Sequence, residues 1–315
     1  MNNSQMTTLK NATGKIDYTL MNDCMFHIVM QSNKKVLTGL VCALLHLHQD
    51  DVQSVTVLNP LELGEQIRDK DYILDIKVLL NNHTVINIEL QVRAQNFWND
   101  RSLSYLCRLF DNLEKGEDYC DVRPAYHIGI LDFTLFSEYP EFYATNKMMN
   151  VQKHYIYNDK FTLNVLDLNQ IELATDEDRL WKLDYWARLF KSKTWEELKM
   201  LAQQNDVFME TCETIFQKNQ DEKVRYWCEA REEAERVART IEREYKQTIA
   251  EQSNTIAEKD NIIAEDRRLL SEKDNIIAED RRLLSEKDNA LAEKDNALIE
   301  KDALIARLMA QLNQK

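Results

Sequence analysis

Three side chains that carry oxygen atoms lie at alternating positions in two short apolar segments. Asp75 lies within YILDIKVLL (72–80), and Glu89 and Gln91 lie within VINIELQV (85–92). Apolar and polar residues alternate in both segments, which predicts two β-strands joined by a turn. Because strand side chains repeat every two residues, Glu89 and Gln91 are expected on one face.

The turn between the two strands predicts which residues face each other. If residues 81–83 form a three-residue hairpin loop, residue 80 pairs with residue 84, and Asp75 then lies directly opposite Glu89. Two carboxylates this close repel each other unless a cation compensates them. Magnesium is held by one or two carboxylates with further oxygen ligands. Asp75, Glu89 and the backbone carbonyl of Leu90 are therefore candidate ligands, although a polar hairpin face in contact with solvent would give the same alternation.

The two segments resemble the PD-(D/E)XK nuclease superfamily. KDYILDIKV followed by INIELQV is similar to its Rpn (recombination-promoting nuclease) branch of transposases, over about residues 15 to 235. The resemblance implies that Asp75 and Glu89 hold Mg²⁺, with Mn²⁺ as the alternative, and that the chain hydrolyses phosphodiester bonds of DNA. In such nucleases a lysine follows the acidic residue by two positions and assists the attacking water. Here that position is Gln91, which cannot act as a base near neutral pH and is expected to orient a water acidified by the metal.

Other positions of the chain match the family more loosely. NDCMFHIVM (22–30) resembles the opening motif of the family, with Asp23 and Phe26 matching and His27 replacing a lysine. The resemblance makes Asp23 and His27 candidate phosphate or metal contacts. Arg101 and Tyr105 match an R-x-x-x-Y pattern, which suggests that Arg101 contacts a phosphate; an ordinary surface ion pair is the alternative. Lys70, in the charged segment before the first of the two strands, is a further candidate substrate contact.

Net charge opposes non-specific binding to nucleic acid. The chain carries a formal charge of −14, so a nuclease needs a local strip of cations. Candidates for that strip are Lys34, Lys35, Arg93, Arg101 and Arg108. Six widely spaced cysteines without a C-x-x-C motif fit a reducing cytoplasm. No apolar run approaches the ~20 residues of a membrane span, so no membrane association is expected.

The distribution of glycine and proline predicts the fold class. All of them precede residue 141, which indicates a mixed, turn-rich first part and a helical remainder. The elements predict an α+β chain in the order αβββαβ, which other α+β folds also share. The resemblance implies that it is the three-layer restriction-endonuclease-like core. The predicted parts are a disordered tail (1–16), the nuclease core (17–140), a hairpin at 155–168 with closing helices (141–230), and a long helix (231–315).

The last part contains internal repeats. EKDNIIAEDRRLLS occurs at 258–271 and again at 272–285, and apolar residues recur every seven positions from Ile249. A strict seven-residue period predicts a left-handed supercoil, and the narrow apolar seam predicts a weak coiled coil that self-associates into a homo-oligomer. A single solvated helix is the alternative. For the whole chain, the alternative to an active endonuclease is a catalytically inactive DNA-binding or oligomer-forming scaffold on the same fold.

Overall fold

The computed structural model describes residues 8–60 and 75–312. The chain forms two compact units, residues 1–236 and 237–315. The first unit is a mixed α and β structure built around one sheet. The second consists of the continuation of a long helix.

Two helices begin the first unit. They are α1 (Asp23–Ser32) and α2 (Lys34–Leu45). The side chains of Asn22 and Asn33 cap these helices by accepting hydrogen bonds from backbone N–H groups of the first turn. Both helices are amphipathic and almost wholly buried on their inner side.

Six strands form one mixed sheet in the order β1-β2-β3-β4-β6-β5. Their bounds are β1 (Val55–Val57), β2 (Ile76–Leu80), β3 (Thr84–Gln91), β4 (Ala125–Leu131), β5 (Tyr143–Lys147) and β6 (Phe161–Asp167). The first three strands are antiparallel, β3, β4 and β6 are parallel, and β5 is antiparallel at the edge. Helix α3 (Trp98–Phe110) makes the crossover from β3 to β4. The predicted order of helix, three strands, helix and strand is thus present.

Helices cover both faces of the sheet. On one face, Ile86 and Ile88 of β3 join the main core with α1, α2 and the later helices. On the other face, α3 packs over β3, β4 and β6. The later helices are α4 (Asp176–Leu180), α5 (Leu183–Lys191), α6 (Trp195–Ala202), α7 (Asp206–Gln220) and α8 (Glu222–Leu312). Among the described residues, no single helix is long and apolar enough to cross a membrane; α1 and α2 pass that test only as a pair, bent by 109°.

Two sequence predictions differ from the structure. The hairpin predicted at 155–168 is wrong in its first strand, because β6 pairs with β5 and Ile156 instead forms an isolated antiparallel bridge with Met149. Strand β5 is polar and lies at the sheet edge, so its sequence lacks the apolar alternation on which the prediction relied. The predicted boundary between the nuclease core and the closing region, near residue 140, lies between β4 and β5, which belong to the same sheet.

The disorder predicted for residues 1–16 does not hold for residues 8–16. Leu9 and Ile16 are buried in the main core. The backbone N–H of Gly14 donates to the carboxylate of Glu196. This segment therefore packs on the helical layer, while residues 1–7 lie outside the described residues.

Candidate metal and phosphate site

The strand register brings the two predicted carboxylates to one face of the sheet. Leu80 pairs with Thr84 and Ile76 with Ile88, as the three-residue loop predicted, so Asp75 lies at the position that extends the pairing to Glu89. This is the face covered by α3, and Glu89 is only 3% exposed. The alternative of a hairpin face in contact with solvent is therefore not what the structure shows.

Asp75 is held by two asparagines. The side chain of Asn59 donates to the backbone carbonyl of Asp75 (2.7 Å) and accepts from the backbone N–H of Lys77 (2.8 Å). Asn87 Nδ2 donates to Asp75 Oδ2 at 3.2 Å. Burial, together with the negative charge of Glu89, raises the pKa of Asp75 to about 6. The ionised form of Asp75 is thus disfavoured unless a cation lies nearby.

Glu89 lies between a histidine and an arginine. Its Oε1 atom is ion-paired with Arg101 Nη2. Its Oε2 atom lies 3.3 Å from His127 Nε2 on the neighbouring strand β4. That contact is electrostatic, because its geometry is not that of a hydrogen bond. Neither Glu89 Oε2 nor His127 Nε2 has a hydrogen-bond partner.

The tautomer of His127 follows from its other nitrogen. Asn87 Nδ2 lies 3.1 Å from His127 Nδ1. With the amide nitrogen of Asn87 donating to both Asp75 and His127, Nδ1 is an acceptor and the proton lies on Nε2, facing Glu89. Asn87 and His127 therefore form a continuous polar connection between the two carboxylates.

Arg101 is the central cation of the cluster. Its Nη2 atom also donates to Gln91 Oε1 (2.7 Å), and its Nη1 atom donates to Gln95 Oε1 (2.7 Å). Its guanidinium carbon lies 5.9 Å from the ring centroid of Tyr105. The structure thus joins Arg101 and Tyr105 to the predicted carboxylates, but Arg101 contacts Glu89 and Gln91 rather than open solvent.

The position of α3 depends on a glycine in β4. Gly129 is the register partner of Glu89. A Cβ atom at Gly129 would lie 2.4 Å from the ring of Trp98, the first residue of α3. The missing side chain therefore lets the buried Trp98 pack directly on the sheet. This close approach sets α3 where Arg101, one turn later, reaches Glu89.

The oxygen atoms around Asp75 and Glu89 fit a hard divalent cation. Glu89 Oε2 and Asn87 Oδ1 are buried without a hydrogen-bond partner, and such atoms are rare unless a ligand satisfies them. Gln91 O accepts from Asp132 N on the β4 side. Because successive carbonyls of a strand alternate in direction, the Leu90 carbonyl points towards the side of β2. That is the side on which Asp75 lies.

A ready-made cage of three acidic, histidine or cysteine ligands is not present there. Within residues 8–60 and 75–312, one such group has its ligand atoms within 4.8 Å of one another, the exposed set Asp118, Cys120 and Asp121. The two carboxylates of the candidate site therefore fit magnesium better than zinc, because magnesium keeps several waters and needs few protein ligands.

The remaining candidates occupy other places. Asp23 lies on α1, packed on the opposite face of the sheet from α3, and its carboxylate accepts from Arg231 of α8 (2.8 and 2.9 Å from Nε). His27 is buried on the same helix. Arg231 also contacts Glu235, which is paired with Arg93 just beyond β3. Lys70 lies outside the described residues.

Sequence analysis missed four residues of the site. These residues contact Asp75, Glu89 or Arg101; they are Asn59, Asn87, Gln95 and His127. Of the four, only Asn87 could have been found from the sequence, because it shares the strand parity of Glu89. His127 lies in the apolar segment AYHIGIL, where a histidine facing α3 cannot be told from a core residue without knowing the neighbouring strand.

Comparison with known proteins agrees with this geometry. The family model described as PD-(D/E)XK nuclease family transposase matches residues 20–242, which contain the sheet, α3 and every candidate residue above. No significant match was found among curated proteins or among solved structures. With both carboxylates on one covered face and the match extending over more than half of its length, the chain belongs to the PD-(D/E)XK nuclease family transposases.

Proposed function

We propose that this chain is a metal-dependent DNA endonuclease of the transposase or recombination-promoting type, built on a restriction-endonuclease-like core. Membership of the family implies a nuclease-type function, and such nucleases typically use divalent metal ions. The observation that carries the proposal is the pair Asp75 and Glu89, together on a buried face with an oxygen of Glu89 lacking a hydrogen-bond partner.

In this proposal Asp75, Glu89 and the carbonyl of Leu90 hold Mg²⁺, or Mn²⁺ in its place. The bound ion supplies an acidified water and stabilises the charge that develops on the phosphate. Gln91 positions that water. Its amide already accepts from Arg101 and donates to the carbonyl of Arg93 (3.0 Å), which fixes the plane of the amide and leaves one N–H and one lone pair for the water.

Arg101 and the metal ion compete for Glu89 in this proposal. Without a metal, Arg101 supplies the positive charge beside the buried carboxylate. Arg101 would be available to bind a phosphate oxygen if a metal ion supplied the positive charge beside Glu89 in its place. The phosphate contact predicted for Arg101 therefore belongs to the metal-loaded state.

Cleavage of supercoiled plasmid DNA tests the proposal. We expect nicking or cutting in Mg²⁺ or Mn²⁺, abolished in Asp75→Ala and in Glu89→Ala and retained in Glu138→Ala, which removes an exposed carboxylate from a loop. Calorimetric titration of Mg²⁺ into wild type and Glu89→Ala measures the metal site directly. Equal metal affinity in the two proteins would show that Glu89 is not a ligand.

A catalytically inactive scaffold that binds DNA is the second candidate function. It is favoured by Gln91 at the position of the usual lysine and by the engagement of Arg101 with Glu89. Retardation of DNA in a gel without cleavage in either metal would support this alternative and contradict the first proposal.

We also propose that the long helix forms a homo-oligomer through a coiled coil. The apolar residues that recur every seven positions are all between 47% and 63% exposed in the single chain; they are Ile249, Ile256, Ile263, Leu270, Ile277, Leu284, Leu291, Leu298 and Ile305. Such a stripe is typical of a helix that pairs with another. A cytoplasmic location is proposed because all six cysteines are free thiols.

A further inference from the structure

A small cavity lies beside the candidate metal site, between α3 and the first two strands of the hairpin. It has a volume of about 110 Å³ and is lined by Asp75, Lys77, Asn87, Tyr105, Arg108 and Leu109. Lys77 pairs with Asn87 across the strands, one step along the same face from Asp75 and Glu89. At about 3.3 Å per residue, this pair lies roughly 7 Å from the carboxylates.

Two of the residues that line the cavity are cations, and neither is in an ion pair with a described residue. In the described part of the chain, neither Lys77 Nζ nor the guanidinium of Arg108 is in an ion pair, and both residues are exposed. Arg108 follows Arg101 and Tyr105 by whole helical turns, so the three side chains form one stripe on α3. At one end of the stripe Arg101 is paired with Glu89, and at the other end the unpaired Arg108 lines the cavity.

Three of the other cations nominated by the sequence are less available. Arg93 is paired with Glu235 and Arg101 with Glu89, and Lys35 lies 4.0 Å from Glu210. A chain with a net charge of −14 needs local cations that remain free to bind an anion. Lys77 and Arg108 meet that requirement at the place where the substrate is expected.

The wall of the cavity also contains an unsatisfied polar group. Asn87 is 3% exposed and lines the cavity, and its Oδ1 atom has no hydrogen-bond partner. A buried carbonyl oxygen of this kind is stabilised by a donor or a cation. The ammonium group of Lys77, on the facing residue, can supply that charge while it binds an anion with its other protons.

We propose that Lys77 and Arg108 form a phosphate-binding site that holds the DNA backbone phosphate next to the one at Asp75 and Glu89. This inference rests on the proposed function and adds the residues that grip the substrate strand. Lys77 contributes the charge and the N–H donors of an ammonium group. Arg108 offers the planar set of donors that suits phosphate oxygens. Asp75 also lines the cavity, and its negative charge would repel a phosphate. Phosphate binding should therefore be stronger when a metal ion offsets that charge.

Salt-dependent DNA binding tests the site without relying on cleavage. We would measure binding of a fluorescein-labelled 20-bp duplex by anisotropy from 50 to 300 mM KCl, with Ca²⁺ in place of Mg²⁺. The slope of log K against log salt is negative, and each lost phosphate contact reduces its magnitude by about 0.9. The affinity at 0.1 M salt falls by roughly eightfold. We expect this change in Lys77→Gln and in Arg108→Gln, and twice the change in slope in the double variant.

Matched variants separate this inference from the proposed function. Lys147→Gln removes another exposed lysine, from β5 at the far edge of the sheet, and should match wild type. Lys77→Arg should restore the slope, and Mg²⁺ titration should be unchanged in Lys77→Gln. Wild type that cleaves DNA while all three glutamine variants keep the wild-type slope would overturn the phosphate site alone. Wild type that neither binds nor cleaves DNA would overturn both proposals.

Discussion

The guanidinium of Arg101 is ion-paired with the buried carboxylate of Glu89, and the same Nη2 atom donates to Gln91 Oε1. One arginine nitrogen therefore contacts one oxygen of each of the two polar side chains in the E-x-Q motif, Glu89 Oε1 and Gln91 Oε1. This relationship places a positive charge beside a carboxylate that is 3% exposed, where a buried acidic group needs a partner. It also predicts that stability and metal binding are linked through Arg101.

Arg101→Ala should destabilise the metal-free protein and respond strongly to Mg²⁺. Removing the arginine leaves Glu89 buried and uncompensated, which costs about 3 kcal/mol of unfolding free energy. A metal ion replaces the lost charge, so saturating Mg²⁺ should recover much of the loss and bind more tightly than in wild type. Urea unfolding with EDTA and with Mg²⁺ measures both effects.

Arg179→Ala is the control for that experiment. Arg179 pairs with Asp176 on the surface of α4, and both side chains are at least half exposed, so its removal should change stability by at most about 0.5 kcal/mol. Equal stability of Arg101→Ala and Arg179→Ala in EDTA would contradict the role of Arg101.

The raised pKa of Asp75 predicts an unusual dependence of stability on pH. In the folded state its pKa is about 6, against 3.8 when unperturbed. The folded protein therefore binds the proton more tightly than the unfolded chain, and unfolding free energy falls as pH rises from about 4 to about 6. Above pH 6 the full penalty applies, which is at most about 3 kcal/mol.

Asp75→Asn removes this penalty, so in EDTA at pH 7.5 it should be more stable than wild type by about 1–3 kcal/mol. At pH 4 the two proteins should be equally stable. Mg²⁺ should raise the melting temperature of wild type and leave that of Asp75→Asn almost unchanged. Thermal unfolding across this pH range decides the matter. An Asp75→Asn protein less stable than wild type at pH 7.5 would show that the carboxylate is already compensated.

Local rules predicted most of the hairpin and the first helices. A three-residue loop sets the pairing of Leu80 with Thr84, and Asn81 and Asn82 adopt the left-handed backbone conformation that such a loop needs. The caps at Asn22 and Asn33 and the face shared by Glu89 and Gln91 follow from equally short-range rules. All of these depend on residues close together in the sequence.

The missed parts of the site depend on contacts between distant segments. His127 reaches Glu89 because β4 lies parallel to β3, an arrangement set by the crossover through α3. Gln95 binds Arg101 only because α3 folds back over the sheet. The four-residue spacing of Arg101 and Tyr105 assigned both to one helix face. It could not show that Arg101 faces Glu89, since that depends on the close packing of Trp98 on Gly129.

Gln91→Lys should weaken the site rather than restore the more usual E-x-K pattern. Gln91 Oε1 accepts from Arg101, whereas an ammonium group only donates and carries the same charge as the guanidinium. We expect Gln91→Lys to lose about 2 kcal/mol of stability and to cleave DNA no faster than wild type. Gln91→Met, which removes the acceptor without adding charge, should be intermediate in stability. A Gln91→Lys protein as stable as wild type and more active would contradict this account.

The heptad stripe of the long helix predicts a concentration-dependent oligomer. Ile263 and Ile277 lie in the stripe and are about half exposed in the single chain; pairing would bury them, and a lysine there would place like charges in the interface. Light scattering of the full chain should give a mass above the 37.2 kDa monomer that rises with concentration.

The double variant Ile263→Lys/Ile277→Lys should have the monomer mass. Asn261→Lys/Asn275→Lys adds the same two charges five positions after stripe residues Ile256 and Leu270, on the far side of the helix, and should still associate. Equal masses for the two double variants would show that the apolar stripe is not the contact, and a monomeric wild type would leave the helix solvated on all sides.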